Sequence, residues 1–193
     1  MLCLKLVDSI EEICKMIFNS TILTVPGLTG SGPLHWQTLW EQEYNFKRIH
    51  QLNWDEPVCN EWISVIESYL KEVDLTKTIV VAHSLGCITI AAWAKKHNKK
   101  LKGALLVAPC DTERNDFPLN AVGFKPIPLL KFPFPTILVL SSNDNYISSE
   151  RSNFLGNNWG SEIINIGNAG HINTASQLGL WKEGLEILKK LDS

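Results

Sequence analysis

The chain has 193 residues, 45% of them hydrophobic, and a formal net charge of -2. That length suits one domain with a sizeable core, and a near-neutral charge without a basic stripe argues against a nucleic-acid footprint. The cysteines number five, an odd and scattered set with no CxxC pair, so neither a disulfide framework nor a zinc site is suggested and a reducing, cytoplasmic compartment is expected.

Residues 1–19 carry Asp8, Glu11 and Glu12 among their apolar positions. A secretory signal would keep its apolar segment uninterrupted, and no run reaches the length of a membrane span. This stretch reads as a short helix or loose N-terminal extension ahead of a domain at 20–193. Thr21–Val25 is a β-rich run ended by Pro26-Gly27, as in a buried strand. A glycine-rich loop to Pro33 leads into a helix over Leu34–Tyr44, with Trp36 and Trp40 on one face. Lys47–Leu52 reads as a weaker strand and Val58–Val73 as an amphipathic helix. Thr78–Val81 opens a strand that turns at Ala82-His83-Ser84-Leu85-Gly86 and continues as a helix of small residues to about Lys96. Ala104–Ala108, Thr136–Ser141 and Glu162–Ile166 read as further strands, and 172–191 as a C-terminal helix.

Strands alternating with helices predict an α/β fold: a mostly parallel sheet of about six strands with helices on both faces. Sites in such sheets form outside the carboxyl ends of the strands. Asp111–Pro135 breaks the rhythm and holds five of the nine prolines. It reads either as a proline-stiffened surface crossover or as a small lid or pocket wall beside the site.

A strand, a sharp turn with serine at its apex and a helix form the context of a nucleophile elbow. The plainer alternative is an ordinary turn with Ser84 as a helix cap. A serine hydroxyl is a poor nucleophile and needs a base within hydrogen-bond reach, itself oriented by an acid. The order Ser, acid, His, each on a loop after a strand, is present: Asp144 follows the fifth strand and His171 the sixth. Asp111 is the best rival acid and Asp116 a weaker one; Asp144 could instead be only a turn-forming residue. The developing oxyanion needs donors, for which the backbone N–H groups of Leu85 and Leu28 are the candidates. His35, Trp36 and Trp54 are candidate pocket residues. Most of the seven tryptophans read as packing. His83 is expected to point into the packing of the elbow, His50 lies in the second strand, and His97 closes a helix. Cys87 faces back into a packed helix and is a poor rival nucleophile.

Taken together these residues resemble the retinoblastoma-binding protein nine family of serine hydrolases, within the α/β-hydrolase superfamily, and its bacterial members most. The resemblance spans about residues 20–190. It rests on Val25-Pro26-Gly27 with Ser31-Gly32-Pro33 and His35-Trp36-Gln37, on Ala82 through Cys87, on Val107-Ala108-Pro109 and on Phe132-Pro133-Phe134-Pro135. It continues through Ser142-Asn143-Asp144, Trp159-Gly160, Gly170-His171-Ile172-Asn173 and Gly179 through Gly184. It implies a compact α/β-hydrolase fold without a large cap domain, and a triad on Ser84, Asp144 and His171. It also implies carboxylesterase-like action on small acyl esters, with no metal or organic cofactor. A thioesterase or amidase on the same triad, or a hydrolase-fold binding protein with a vestigial site, are the alternatives. Two departures stand out. Ala82 occupies a position where glycine is commoner. The Leu-x-Cys-x-Glu motif is absent, its nearest approach being Pro57-Val58-Cys59-Asn60-Glu61, so no retinoblastoma-type partner is expected.

Overall fold

A computed structural model describes residues 17–193. Six strands form one sheet: β1 (Thr21–Val25), β2 (Lys47–Arg48), β3 (Thr78–His83), β4 (Gly103–Val107), β5 (Thr136–Leu140) and β6 (Glu162–Asn165). Their order is β2-β1-β3-β4-β5-β6 and every pairing is parallel. The helices are α1 (Trp36–Tyr44), α2 (Cys59–Lys71), α3 (Leu85–His97), α4 (Ser149–Trp159) and α5 (Lys182–Asp192).

Alternation along the strands splits the interior into two layers. Leu23, Val25, Val80, Ala82, Leu106 and Leu138 face a core shared with α2, α3 and α4. Ile22, Ile79, Val81, Leu105 and Val139 face the opposite core, with Trp36 and Trp40 of α1 and Leu185 and Leu188 of α5. The expected architecture, with helices on both faces and, among the described residues, no large cap, is thus observed. Because β1 is flanked by β2 on one side and β3 on the other, the sheet's direction of growth reverses between β1 and β3. A crevice opens at the carboxyl ends of the strands there, where α/β folds place ligands.

Four details depart from the sequence reading. β2 is only two residues long, so His50 is not in a strand but in the exposed loop after it. The C-terminal helix begins at Lys182 rather than 172. Positive φ angles at Gln177, Gly179 and Trp181 interrupt the chain before it, and a single 3-10 turn at Thr174–Ser176 is all the helix that precedes them. Helix α4 was not anticipated. Its buried residues Ser152, Leu155, Gly156 and Trp159 keep helical spacing, but the two small ones carry no apolar signal. A Cβ on Gly156 would lie 2.8 Å from Ile163, so close packing on β6 requires glycine there. Finally, the proline-rich stretch is more than a surface crossover: Phe124, Ile127, Phe132 and Phe134 are buried among Trp62, Trp93 and Trp159.

The expected extension at 1–19 lies, apart from its last three residues, outside the described residues. Phe18 packs edge-on against Tyr44 and Phe46. The backbone N–H groups of Asn19 and Ser20 donate to the Asp192 carboxylate at 2.8–3.1 Å.

Candidate active site

Ser84 sits between β3 and α3 at φ 54°, ψ -122°, a left-handed backbone that a non-glycine residue adopts only when its surroundings impose it. Gly86 is what lets them do so. A Cβ there would run into the Val25 carbonyl oxygen and lie 2.9 Å from that of Pro26, so the first turn of α3 rests directly on the end of β1. Ala82, fully buried, pairs with Val25 on one side and Leu106 on the other; the methyl group is absorbed by the packing beneath the turn.

The imidazole of His171 bridges two other loops. Its Nε2 lies 2.8 Å from Ser84 Oγ, and its Nδ1 lies 2.8 Å from Asp144 Oδ2. The Asp144 carboxylate is almost wholly buried, and its other oxygen accepts the Tyr146 backbone N–H at 2.8 Å. Asp111, the rival acid, is engaged elsewhere: it accepts the Glu113 N–H and faces Arg151 Nε at 3.5 Å. Asp116 holds Arg114 on the exposed surface.

Backbone N–H groups at the start of a helix have no intrahelical acceptor, and Leu85 is the first residue of α3. Gly27 packs against this point: a Cβ on it would lie 2.8 Å from Ser84 Cβ and 3.0 Å from Leu85 N. The glycine therefore lets the end of the loop after β1 approach the first turn of α3 closely.

The family model for serine hydrolases matches residues 22–190. The chain belongs to the serine hydrolase family. Among solved structures it is similar to a YdeN-like hydrolase from Pectobacterium atrosepticum, at 28% identity and TM-score 0.79, over 90% of this chain and 91% of that one. It is also similar to the ydeN gene product of Bacillus subtilis, at 16% identity and TM-score 0.73, over 89% and 98% of the two chains. Est1E from Butyrivibrio proteoclasticus, solved with ferulic acid bound, aligns at 13% identity and TM-score 0.65, over 90% and 89%. The last two speak to the fold alone. No curated protein matches the chain.

In this serine hydrolase the pocket candidates divide. His35 lines a cavity of about 540 Å³ together with Gly30, Ser84, His171 and Thr174. Trp36 does not line it. The indole is 1% exposed, and its Nε1–H donates to the Ile172 carbonyl at 2.7 Å, which ties α1 to the His171 loop. Trp54 stands one layer back, its ring 3.3 Å from where a Gly30 Cβ would be, while its carbonyl accepts the Thr29 N–H at 2.9 Å. A second cavity of about 310 Å³ lies on the other side of Ser84, bounded by Leu85, Cys110, Phe117, Pro118 and Asn145. Leu28, Ser84 and Tyr146 border both. The proline-rich stretch thus supplies a pocket wall at its head and core packing at its tail.

Further residues support the hydrogen-bonded chain. His83 does pack beneath the elbow, but it also donates from Nε2 to the His171 carbonyl at 2.9 Å. Burial, reinforced by the neighbouring His171 and His35, drives the His83 pKa well below the usual value, so the ring stays neutral. Burial lowers His35 to about 4, with help from Arg48 and His171. The loops of Asp144 and His171 are joined by Asn143, whose Oδ1 accepts the Gly170 N–H at 2.7 Å, and by Ser141, whose Oγ accepts the Ala169 N–H at 2.9 Å. Tyr146 lays its ring 4.3 Å from the His171 imidazole. The signal for these residues was their place beside Asp144, but polar loop residues carry no periodicity that would separate them from turn formers. Burial pushes the Cys110 thiol up to about 12, against the pull of the Ser84 side chain, and raises Cys87 well above its usual value; neither supplies a thiolate. Among the described residues no group of three or more His, Cys, Asp or Glu side chains could hold a metal ion, and no helix is long and apolar enough to cross a membrane.

Proposed function

We propose that the protein is a carboxylesterase-like hydrolase of small acyl esters that works through Ser84, His171 and Asp144. The observation that carries this reading is the unbroken chain of two 2.8 Å hydrogen bonds from hydroxyl to imidazole to buried carboxylate. Ser84 Oγ attacks the ester carbonyl carbon while its proton passes to His171 Nε2. The carbonyl oxygen becomes an oxyanion, held by the N–H groups of Leu85 and Leu28. Asp144 keeps the proton on Nδ1 and stabilises the imidazolium. The bond from carbon to the alcohol oxygen then breaks, and that oxygen takes the proton from Nε2. Water gives a proton to Nε2 as it attacks the acyl-enzyme. The carbon–Oγ bond breaks, the proton returns to Oγ, and the acid leaves. His35 borders the cavity in which this takes place.

The motifs from Val25 through Gly184 favour the retinoblastoma-binding protein nine branch of the family, in a bacterial-type form. Three buried free thiols, Cys59, Cys87 and Cys110, favour a cytoplasmic setting. Kinetics on p-nitrophenyl acetate test the reading: Ser84→Ala should lower kcat by on the order of 10⁴–10⁶, and a variant as fast as the parent would refute it. Thioesters and amides of the same acids, assayed beside the esters, rank the three bond types.

A further inference from the structure

Ser84 borders two chambers, and the direction of proton transfer decides which part of the substrate enters each. We propose that the smaller chamber, walled by Cys110, Phe117 and Pro118 at the head of the proline-rich segment, holds the acyl chain, and that the larger one holds the alcohol. This assignment rests on the ester-hydrolase reading above. When the tetrahedral adduct collapses, the alcohol oxygen must lie within reach of His171 Nε2, since that nitrogen carries the proton it needs. Of the two chambers, His171 lines the larger and not the smaller. The alcohol therefore points into the larger chamber, and the acyl chain, on the other side of the carbonyl carbon, is left with the smaller.

The lining of the smaller chamber accommodates an acyl chain. Leu28, Leu85, Cys110, Phe117 and Pro118 give the small chamber an apolar side, and Asp111, Arg114, Asp116 and Asn145 a polar one. Its charges are already satisfied: Arg114 is engaged by Asp116 and by the Asn145 carbonyl, and Asp111 faces Arg151 at 3.5 Å. Along its apolar side such a chamber fits an uncharged aliphatic chain. At about 310 Å³ it suits a short to medium chain. The larger chamber presents the glycine-rich backbone of Gly27–Gly32 with His35, Asn173 and Thr174, which leaves room for the alcohol. The substrate class is thus esters of uncharged short- to medium-chain acids, and Phe117 sets the limit on chain length. Phe117 is only partly buried and packs against the core beneath it, so its ring can be trimmed from the chamber side.

Two substrate series separate the chambers: p-nitrophenyl esters of straight-chain acids from two to twelve carbons, and acetate esters of alcohols of rising bulk. Phe117→Ala should move the preferred acyl chain about two carbons longer, raising kcat/KM for octanoate relative to acetate about tenfold or more, with the alcohol profile unchanged. Phe117→Leu, which keeps an apolar side chain on the core, should give a smaller shift in the same direction if the alanine variant folds poorly. Ala175→Trp, on the exposed rim of the larger chamber, should cut activity on bulky-alcohol acetates about tenfold and leave the acyl profile unmoved. An unchanged acyl profile in a folded Phe117 variant, or a shift in the alcohol profile instead, overturns the assignment while hydrolysis by the parent leaves the catalytic reading intact. A parent that neither hydrolyses any of these esters nor takes up a fluorophosphonate at Ser84 overturns both.

Discussion

Gly86→Ala probes the junction on which the site depends. A methyl group there would run into the Val25 carbonyl oxygen and lie 2.9 Å from the Pro26 oxygen, where ordinary contact begins at 3.4 Å. Both obstacles are backbone, so relief requires the end of β1 and the first turn of α3 to part. Overpacking of this kind costs about 1–3 kcal/mol. For a chain of this length that is a fall in Tm of roughly 2–12 °C. The parting also moves Gly27-Leu28 away from Leu85 and Ser84, and a displacement of about 1 Å at reacting groups costs on the order of 10²-fold in rate. Thermal unfolding and kcat/KM on p-nitrophenyl acetate, normalised to fluorophosphonate-titrated sites, measure both effects. Gly32→Ala is the control, because a Cβ at that position meets nothing within 4 Å; its stability should change by less than about 0.5 kcal/mol. A Gly86→Ala enzyme with the parent's Tm and kcat/KM would refute the reasoning.

The remaining predictions concern the acid and the titrating groups. Asp144→Asn should lower kcat by about 10⁴, since the amide no longer enforces the right imidazole tautomer, whereas Asp111→Asn should change kcat less than about threefold; equal losses in the two would return the choice of acid to open. At Asp192, burial works to raise the carboxyl pKa, but hydrogen bonds from Lys189, Ser20 and Asn19 outweigh it and hold it well below the usual range. Its folded pKa is depressed, so its stabilisation is present above the unfolded value of about 3.9 and is lost as pH falls below it. Asp192→Asn should therefore lower Tm at pH 7 and converge with the parent under strongly acid conditions. His35 is held neutral by a pKa near 4, so its part of the stability is complete above about pH 6.5 and is lost as pH falls toward 4. His35→Asn, which can still cap the Gln37 N–H that His35 Nδ1 now accepts at 3.2 Å, should flatten the fall of Tm across that window; His83, shifted in the same direction, will keep some slope in the variant.

Much of this molecule can be read from local pattern. The runs Ile79–Ala82 and Ala104–Ala108 are apolar throughout because both faces of a parallel strand are covered, and the strand–Ser–helix signature survives because the elbow is built from consecutive residues. The order Ser84, Asp144, His171 foreshadowed the hydrogen-bonded chain, since each residue follows a strand and parallel strands deliver their ends to one edge. What could not be read depends on contacts across the chain. Helix α4 faces the sheet with Ser152 and Gly156, so the fit that stabilises it removes the apolar stripe that would announce it. The C-terminal helix is shorter than its pattern suggests because Gln177 and Trp181 take positive φ angles that only tertiary packing imposes. Trp36 stood next to His35 in sequence, but α1 turns the two side chains to different surroundings, one to the cavity and one to the core.

The central claim is that Ser84 is a nucleophile activated by His171. Reaction of the folded protein with a fluorophosphonate, followed by intact-mass measurement and peptide mapping, tests it most directly. The account predicts one adduct per chain, on Ser84, lost in Ser84→Ala and slowed by orders of magnitude in His171→Ala. A folded protein that stays unmodified, or that carries the adduct on another residue, would contradict it.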